Sequence, residues 1–195
     1  TYHAHPAVDL VAGTDPHDEQ RAIFGRRWGL APDHLYADYR EMLAKEELDI
    51  VSVCTSSRFR PPIVQDVARA GVKIIWAEKP ISITLAEGDD VIRVCREEGT
   101  TLAINCARRW WIGFSGVRDI IDSGKMGKVL QVTAHFPCGL SQNGSHLIDC
   151  VRYLAGGGNV EWVFAEIESD EAAVGELDVS GNGYFAFDNG VRAFI

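Results

Sequence analysis

The sequence lacks a basic excess, a long apolar run and a leader-like N-terminus. Its 195 residues carry 19 Lys and Arg against 28 Asp and Glu, which gives a net charge of −9 at pH 7. Nucleic-acid binding requires a basic surface that neutralises phosphates, so we expect no nucleic-acid partner. No apolar run approaches the roughly 20 residues of a membrane span, and we expect no membrane anchor. The opening Thr1-Tyr2-His3 also lacks the charged-then-apolar pattern of a signal peptide.

Paired cysteines and a glycine-rich phosphate-binding motif are also absent. The five cysteines are odd in number, widely spaced and never arranged as Cys-x-x-Cys: Cys54, Cys95, Cys106, Cys138 and Cys150. This pattern predicts buried free thiols in a reducing cytoplasm, rather than disulfides or a zinc site. No Gly-x-Gly-x-x-Gly sequence occurs anywhere in the chain.

The first 105 residues instead show a regular alternation of apolar runs and helical segments. Strands are predicted at residues 8–13, 49–54, 72–76 and 102–105. Helices are predicted at residues 16–28, 39–45, 61–70 and 83–98. The run at 49–54 is almost continuously apolar, as in a parallel strand that is covered on both faces. The alternation predicts an α/β domain with a doubly wound parallel sheet.

Residues 106–195 have a different character, and we expect a second, α+β domain there. Helices are predicted at 113–123 and 145–154, and strands at 129–136, 160–167, 177–187 and 191–195. Asp188-Asn189-Gly190, between the last two strands, is typical of a hairpin turn. Because the chain opens on Thr1 and stops inside a predicted strand, we expect it to be a piece of a longer protein.

Asp15 directly follows the first predicted strand. In dinucleotide-binding folds an acidic residue at a strand end hydrogen-bonds the ribose hydroxyls, and an Asp favours NAD because it repels the extra phosphate of NADP. A helix N-cap is the alternative, for which Asp15-Pro16 is already a sufficient explanation, and both interpretations stay open. The missing glycine motif would lie about 20 residues before such an Asp. Only 14 residues precede Asp15, so the absence of the glycine motif does not argue against the fold.

Two polar segments follow the next predicted strands. Cys54-Thr55-Ser56-Ser57 lies at the end of the strand predicted at 49–54. Its small hydroxyl residues allow close approach of a nicotinamide or ribose, and a turn that caps the next helix is an equal explanation. Ala77-Glu78-Lys79-Pro80 ends the next, at the edge where open α/β sheets bind ligands. The ammonium of Lys79 could stabilise charge on a substrate oxygen, and Glu78 would orient Lys79 or contact the ribose. A plain surface ion pair is the alternative.

The helix predicted at residues 145–154 has two distinct faces. At about 100° per residue, one arc of about 100° holds the potentially reactive side chains His146, Asp149, Cys150 and Tyr153. The apolar side chains lie opposite: Leu147, Ile148, Val151 and Leu154. An imidazole, a carboxylate and a phenol on one surface suit general acid–base chemistry and hydroxyl recognition. A solvated polar face is the alternative, although such a face more often carries Lys, Glu and Gln.

Two remaining groups are candidate ligand contacts. In Arg108-Arg109-Trp110-Trp111 an arginine could meet a cofactor or substrate oxygen and the indoles could form a pocket wall, with packing between domains as an equal alternative. His135 and Cys138 lie close in sequence, but no further ligands have usable spacing, so we expect no metal.

These segments, in this order, resemble the Gfo/Idh/MocA family of sugar and polyol oxidoreductases. The Glu78-Lys79-Pro80 motif with a downstream Gly144-Ser145-His146-Leu147-Ile148-Asp149 is fairly specific at this spacing. The other matching segments are the strand ending in Thr14-Asp15-Pro16, the strand ending near Thr55, Ala107-Arg108-Arg109-Trp110, and Gly124-Lys125-Met126-Gly127.

The resemblance implies a Rossmann domain at residues 1–105, lacking its first strand and glycine loop, and an α+β domain at residues 106–195. The second domain would carry an open, mainly antiparallel sheet that often mediates homo-oligomerisation. The implied reaction is hydride transfer between NAD, or NADP, and a sugar, cyclitol or related polyol.

The resemblance also implies roles for single residues. Lys79 takes the position of the catalytic lysine and Asp149 that of the conserved aspartate. Tyr153 stands where relatives carry a His or Tyr acting as acid or base, with His146 as the other candidate for the proton. The implied cofactor contacts are Asp15, Thr55, Ser57, Glu78, Lys79 and Arg109.

The chain departs from the family pattern at two visible positions. Gln142 stands where many members carry Asp, and Arg60 stands close to where a histidine usually opens a helix. These two departures bear on substrate identity more than on reaction type. Two other functions also stay open beside hydride transfer. One is elimination or hydrolysis with a tightly held NAD, and the other is a non-catalytic nucleotide- or sugar-binding relative.

Overall fold

The computed structural model describes residues 4–137, 139–140, 143–169 and 179–195. The chain forms two compact units, Thr1–Ala103 and Ile104–Ile195. The strands of the first unit form a two-stranded and a three-stranded sheet, and those of the second form one four-stranded sheet.

The first unit is a Rossmann-type arrangement of short strands and covering helices. Its strands are β1 (Gly13–Thr14), β2 (Leu35–Tyr36), β3 (Ile50–Val53), β4 (Ile74–Glu78) and β5 (Thr101–Asn105). Its helices are α1 (Asp18–Trp28), α2 (Tyr39–Lys45), α3 (Arg60–Arg69) and α4 (Leu85–Glu97). β1 pairs with β2 and β3 with β4, both in parallel, and β5 lies beside β4. The predicted fold class is thus confirmed for this unit.

Local signals in the sequence set several of these boundaries. Asp38 caps α2 by accepting a hydrogen bond from the Arg40 amide. Thr84 and Glu87 form a reciprocal capping box at the start of α4. The sheet and the helices bury a common apolar core in which Ile75, Val64 and Val91 are fully enclosed.

Two strand predictions in this unit were wrong in extent. Residues 8–12 form no strand within the described part of the chain, because the ladder with β2 begins only at Gly13. β4 begins at Ile74 and continues to Glu78, two residues later at each end than predicted. Its register fixes this shift, since Ile74 pairs with Ile50 at the start of β3. β2 was not predicted, because a two-residue strand is too short to show a pattern.

The second unit has a four-stranded mixed sheet with helices packed on it. Its helices are α5 (Ile112–Asp122) and α6 (Asn143–Leu154). Its strands are β6 (Gln131–Thr133), β7 (Val160–Ile167), β8 (Gly181–Phe187) and β9 (Arg192–Phe194), in the spatial order β6-β9-β8-β7. β6 runs parallel to β9, whereas β7–β8 and β8–β9 are antiparallel. The predicted open, mainly antiparallel sheet is confirmed, although β6 and β9 are shorter than expected and residues 177–178 lie outside the described ranges.

The predicted hairpin at Asp188-Asn189-Gly190 joins β8 to β9. Gly190 adopts a φ of 86°, a left-handed conformation that glycine accepts without strain. The hairpin places Phe187 and Val191 in the core of the unit, together with Val151 and Ala155 from α6 and its end. The sheet face on which these residues lie is therefore the one that α6 covers.

Candidate active site

The carboxyl ends of β3 and β4 bring two of the predicted segments to one edge of the sheet formed by β3, β4 and β5. The parallel ladder ends with Val53 opposite Ala77, so Thr55 and the turn at Glu78-Lys79-Pro80 both extend beyond it. Lys79 and Pro80 are half-buried, and the peptide bond between them is cis. This edge is where ligands bind in open parallel sheets.

The segment after β3 forms a turn that contains a hydroxyl group able to bind a ligand. The Ser56 carbonyl accepts hydrogen bonds from the amides of Phe59 and Arg60, each at 3.1 Å, which starts α3. The hydroxyl of Thr55 is buried and has no hydrogen-bond partner in the described part of the chain. Leaving a buried polar group unsatisfied costs about 1–3 kcal/mol, and a ligand that bonds to it removes the cost. Ser57 is half-buried in the same turn.

Arg60, which the sequence showed only as a departure from a family pattern, is part of this edge. Its side chain is buried, at 3% exposure, and its guanidinium donates to the carbonyls of Thr55 and Pro80. Burial lowers the pKa of Arg60, and the nearby Glu78 carboxylate opposes that shift. One feature of the sequence could have singled out Arg60, because it is a cation in the first turn of a helix, where the helix dipole disfavours positive charge.

Asp15 lies three residues before helix α1 begins, and its carboxylate keeps capacity for a ligand. Its amide donates to the Tyr36 carbonyl at 3.1 Å, and its Oδ1 accepts from the His17 amide at 2.8 Å. The Asp15 carbonyl in turn accepts from Arg21 at 2.6 Å. Helix α1 begins at Asp18 and its N-cap is His17, so Asp15 is not the N-cap residue that the sequence suggested. A carboxylate offers about four acceptor sites, so one bond to His17 leaves room for ribose hydroxyls.

In the second unit, Asp149 is bound by Arg109 in a two-pronged ion pair. Arg109 Nε lies 2.8 Å from Oδ2 of Asp149, and Nη2 lies 2.5 Å from Oδ1. The Asp149 side chain is only 14% exposed, against 38% for Arg109. The hydrogen bond to Asp149 raises the pKa of Arg109 further. The face of α6 at Asp149 is thus a structured contact and not a solvated one.

Tyr153, one turn further along α6, lies against two guanidinium groups. The centroid of its ring is 5.2 Å from the Arg109 guanidinium and 5.9 Å from that of Arg118. Arg118 also donates to the Tyr153 carbonyl at 2.9 Å and pairs with Asp122. Arg118 was not singled out from the sequence, because nothing in its local pattern indicates a partner 35 residues away.

The remaining α6 residues divide between the two faces. His146 is half-buried beside Asp149 on the same face. Cys150 was grouped with this face, but it is buried at 4% exposure next to Val151. The reason is that Cys150 lies at the border of the arc and turns toward the core. The neighbouring Cys106 is a poor nucleophile, because burial and the Asp149 carboxylate raise the pKa of its thiol to about 11.

Other sequence predictions have simpler outcomes. Cys95 is buried as predicted, but Cys54 is exposed, because it follows β3 at the open edge of the sheet. Trp110 and Trp111 are exposed, and the Arg108 guanidinium lies 4.9 Å from the ring of Phe136. Cys138 and Gln142 lie outside the described residues.

Neither a metal-binding cluster nor a membrane-spanning helix occurs in the described ranges. They contain no cluster of three or more His, Cys, Asp or Glu that could hold a metal. None of the helices found there is long and apolar enough to cross a membrane.

Comparison with known proteins decides the family. The model of the Gfo/Idh/MocA family, described as an oxidoreductase family with an NAD-binding Rossmann fold, matches residues 1–106. The chain belongs to the Gfo/Idh/MocA oxidoreductase family. Its first unit is the family's NAD-binding Rossmann domain, which agrees with the parallel strands and with the polar edge at Thr55 and Lys79.

Individual members of the family are similar along most of this chain. D-apiose dehydrogenase of Paraburkholderia graminis is 27% identical, over 76% of this chain and 44% of its own length. Myo-inositol 2-dehydrogenase of Thermotoga maritima is 27% identical, over 77% of this chain and 50% of its own length. The chain therefore spans about half the length of these curated relatives.

The fold is shared by solved structures of the family as well. The crystal structure of aldose-aldose oxidoreductase from Caulobacter crescentus, complexed with glycerol, has a TM-score of 0.82 to this chain. It is 23% identical, and the match covers 96% of this chain and 62% of that one. At this identity the likeness establishes the fold, including the second unit beyond residue 106.

Proposed function

We propose that the protein is an NAD(P)-dependent oxidoreductase acting on a CH–OH carbon of a sugar, cyclitol or related polyol. The observation that carries the proposal is the turn at Glu78-Lys79-Pro80, which follows β4 at the ligand-binding edge of an NAD-binding Rossmann unit. The family's dehydrogenases of D-apiose and myo-inositol support the substrate class.

The first unit supplies cofactor contacts and the cation for the reacting oxygen. The residues present fit a dinucleotide, since Asp15 retains acceptor capacity and the Thr55 hydroxyl is buried without a partner in the described ranges. Ser57 and Glu78 provide further polar contacts at the same edge, and Asp15 favours NAD. Bound nicotinamide supplies the hydride acceptor or donor. Lys79 hydrogen-bonds the substrate oxygen and stabilises the negative charge that develops on it.

The second unit supplies the groups that handle the hydroxyl proton. Both oxygens of Asp149 already accept hydrogen bonds from Arg109, so we assign Asp149 to orientation and charge balance. Tyr153 and His146 are the two candidates for proton transfer on the same helix. Arg109 uses two of its five N–H groups on Asp149, which leaves donors for a cofactor or substrate oxygen.

Substitution of Lys79 tests this assignment of roles. The full-length protein is assayed for reduced nicotinamide by absorbance, with a panel of polyols and aldoses. For Lys79→Met we expect kcat to fall by about 10²–10³-fold, which is the effect of removing one group that stabilises an oxyanion. Lys73→Met is the matched control, because Lys73 lies just before the same strand in an exposed pair with Asp49. Full turnover by Lys79→Met would show that the role of Lys79 is wrong.

The same assay separates the two alternative functions. A tightly held NAD that enables elimination or hydrolysis gives product without net NADH. A non-catalytic relative binds nicotinamide and gives no product at all. Only net reduction of nicotinamide, in proportion to substrate consumed, supports the proposed dehydrogenase.

The uncovered sheet face of the second unit supports a homo-oligomer. Trp162, Phe164 and Phe194 are 46%, 74% and 42% exposed there, and Tyr184 lies between them with its ring 4.3 Å from that of Phe194. Contiguous aromatic surface of this kind marks an interaction site. We expect Phe164→Glu to lower the oligomeric state in analytical ultracentrifugation. Leu85→Glu, at an apolar residue of the first unit that is more exposed still, should not change it.

A further inference from the structure

Arg60 is a buried cation at a position that helix formation does not explain. It is the first residue of α3, where the helix dipole disfavours positive charge. Its guanidinium donates hydrogen bonds to two backbone carbonyls, which carry no full charge to balance it. Its Nε is buried without a hydrogen-bond partner in the described ranges. Burying a charge on such terms is costly, so the contacts that Arg60 makes have to offset the cost.

The contacts of Arg60 begin where the sheet ladder stops. The β3–β4 register ends with Val53 opposite Ala77. Beyond that pair, the segment at Thr55 and the segment at Pro80 have no ladder bonds to each other. The guanidinium donates one N–H group to each of these two carbonyls and so joins the two strand ends.

A guanidinium is suited to this connection because its N–H groups diverge in a rigid plane. One nitrogen can therefore serve each carbonyl at a fixed separation. An ammonium group could contact one carbonyl well and would lose the fixed geometry. The Glu78 carboxylate, which lies close enough to oppose the lowering of the Arg60 pKa, supplies partial charge balance at the same edge.

We propose that Arg60 is a positioning residue, which fixes the backbone on both sides of the candidate site and thereby places Lys79 and Thr55. Pro80 is the residue directly after Lys79, and Thr55 is itself a candidate cofactor contact. The inference rests on the proposed function for its catalytic consequence. The anchoring of the two backbone segments does not depend on that function.

Hydrogen–deuterium exchange of the full-length protein tests the anchoring, and steady-state kinetics tests its consequence. In Arg60→Ala we expect faster amide exchange in peptides covering residues 54–58 and 78–83, with unchanged exchange in β5. We expect kcat to fall by about 10–100-fold, because a displacement of about 1 Å at a catalytic group has an effect of this order. Arg69→Ala is the matched control, since Arg69 is an exposed arginine of the same helix.

Added methylguanidinium distinguishes positioning from general destabilisation. It should partly restore both kcat and exchange protection in Arg60→Ala, whereas sodium chloride at equal ionic strength should not. If Arg60→Ala does not fold, Arg60→Lys keeps the charge and should still show faster local exchange and lower kcat. Unchanged exchange at both segments, or kcat within twofold of wild type in the folded variant, overturns the proposal. If wild type itself gives no net NADH, the dehydrogenase fails and the exchange result alone decides the role of Arg60.

Discussion

The ion pair between Arg109 and Asp149 gives the sharpest energetic prediction in the second unit. The contact joins the 3₁₀ turn at Ala107–Trp110 to α6, two segments about 40 residues apart in sequence. It is bidentate, and Asp149 is 14% exposed. We therefore predict that it couples the two residues more strongly than a surface pair does.

The expected coupling can be bounded from both sides. Hydrogen bonds to charged groups contribute about 1.5–3 kcal/mol, whereas fully exposed ion pairs contribute about 0.2–1 kcal/mol. Arg109 is 38% exposed, so solvent screening reduces the upper figure. We expect a coupling free energy of about 1–2 kcal/mol, within the range found for residues in direct contact.

A double-mutant cycle measures this coupling. Arg109→Met, Asp149→Asn and the double variant are unfolded in urea and followed by far-UV circular dichroism at fixed pH and salt. The matched control is the cycle at Arg93 and Glu97, an exposed pair one helical turn apart on α4, with expected coupling of about 0.3–0.5 kcal/mol. If the Arg109–Asp149 coupling is no larger than that of the control, the pair does not hold the 3₁₀ turn to α6.

Three further predictions concern single residues. Glu46 raises the pKa of His34 from its ordinary value of 6.5 by accepting a hydrogen bond from it. Stability from this contact is complete below pH 6.5 and is lost as the pH rises through the folded-state pKa, so His34→Asn should flatten the pH dependence of the melting temperature above pH 6.5. Gly116→Ala in α5 should stabilise by about 0.5–1 kcal/mol, because open space surrounds it, whereas Gly71→Ala, at a φ of 83°, should destabilise by at least as much in urea unfolding. Thr84→Ala removes the capping box of α4 and should cost about 1 kcal/mol in the same assay, and no loss would contradict the cap.

Elements with local signals at both ends could be predicted to the residue. α2 occupies 39–45 as expected, because Asp38 caps it, and β7 occupies 160–167. Where a boundary depends on a partner strand, sequence reasoning failed. The start of β1 and the shift of β4 are both set by the register of neighbouring strands, which local patterns do not contain. The fold class was accessible because it needs only the general alternation of strands and helices, which was correct apart from the missed strand β2.

The sequence also predicted part of the candidate site. Strand ends and a helical face placed Thr55, Lys79 and Asp149 among the candidate residues. The helical periodicity of α6 could not identify Arg109 as the partner of Asp149, because Arg109 lies 40 residues earlier in the chain. Cys150 shows the limit of the method, since a residue at the border of an arc can turn to either side and this one is buried.

Two arginines, one assigned from the sequence to cofactor contact and the other seen only as a departure from the family pattern, contact the main candidates, each within its own unit. Arg60 follows β3 and binds the carbonyl next to Lys79, and Arg109 follows β5 and binds the carboxylate of Asp149. Each lies just after a strand, from where a long side chain reaches a neighbouring segment with two or more N–H groups. Their bonds differ in one respect that experiments can use. Arg109 faces a charged partner, so salt should weaken its contribution, whereas the carbonyl contacts of buried Arg60 should be almost insensitive to salt. A salt series on Arg109→Met and Arg60→Lys therefore separates an electrostatic support from a geometric one.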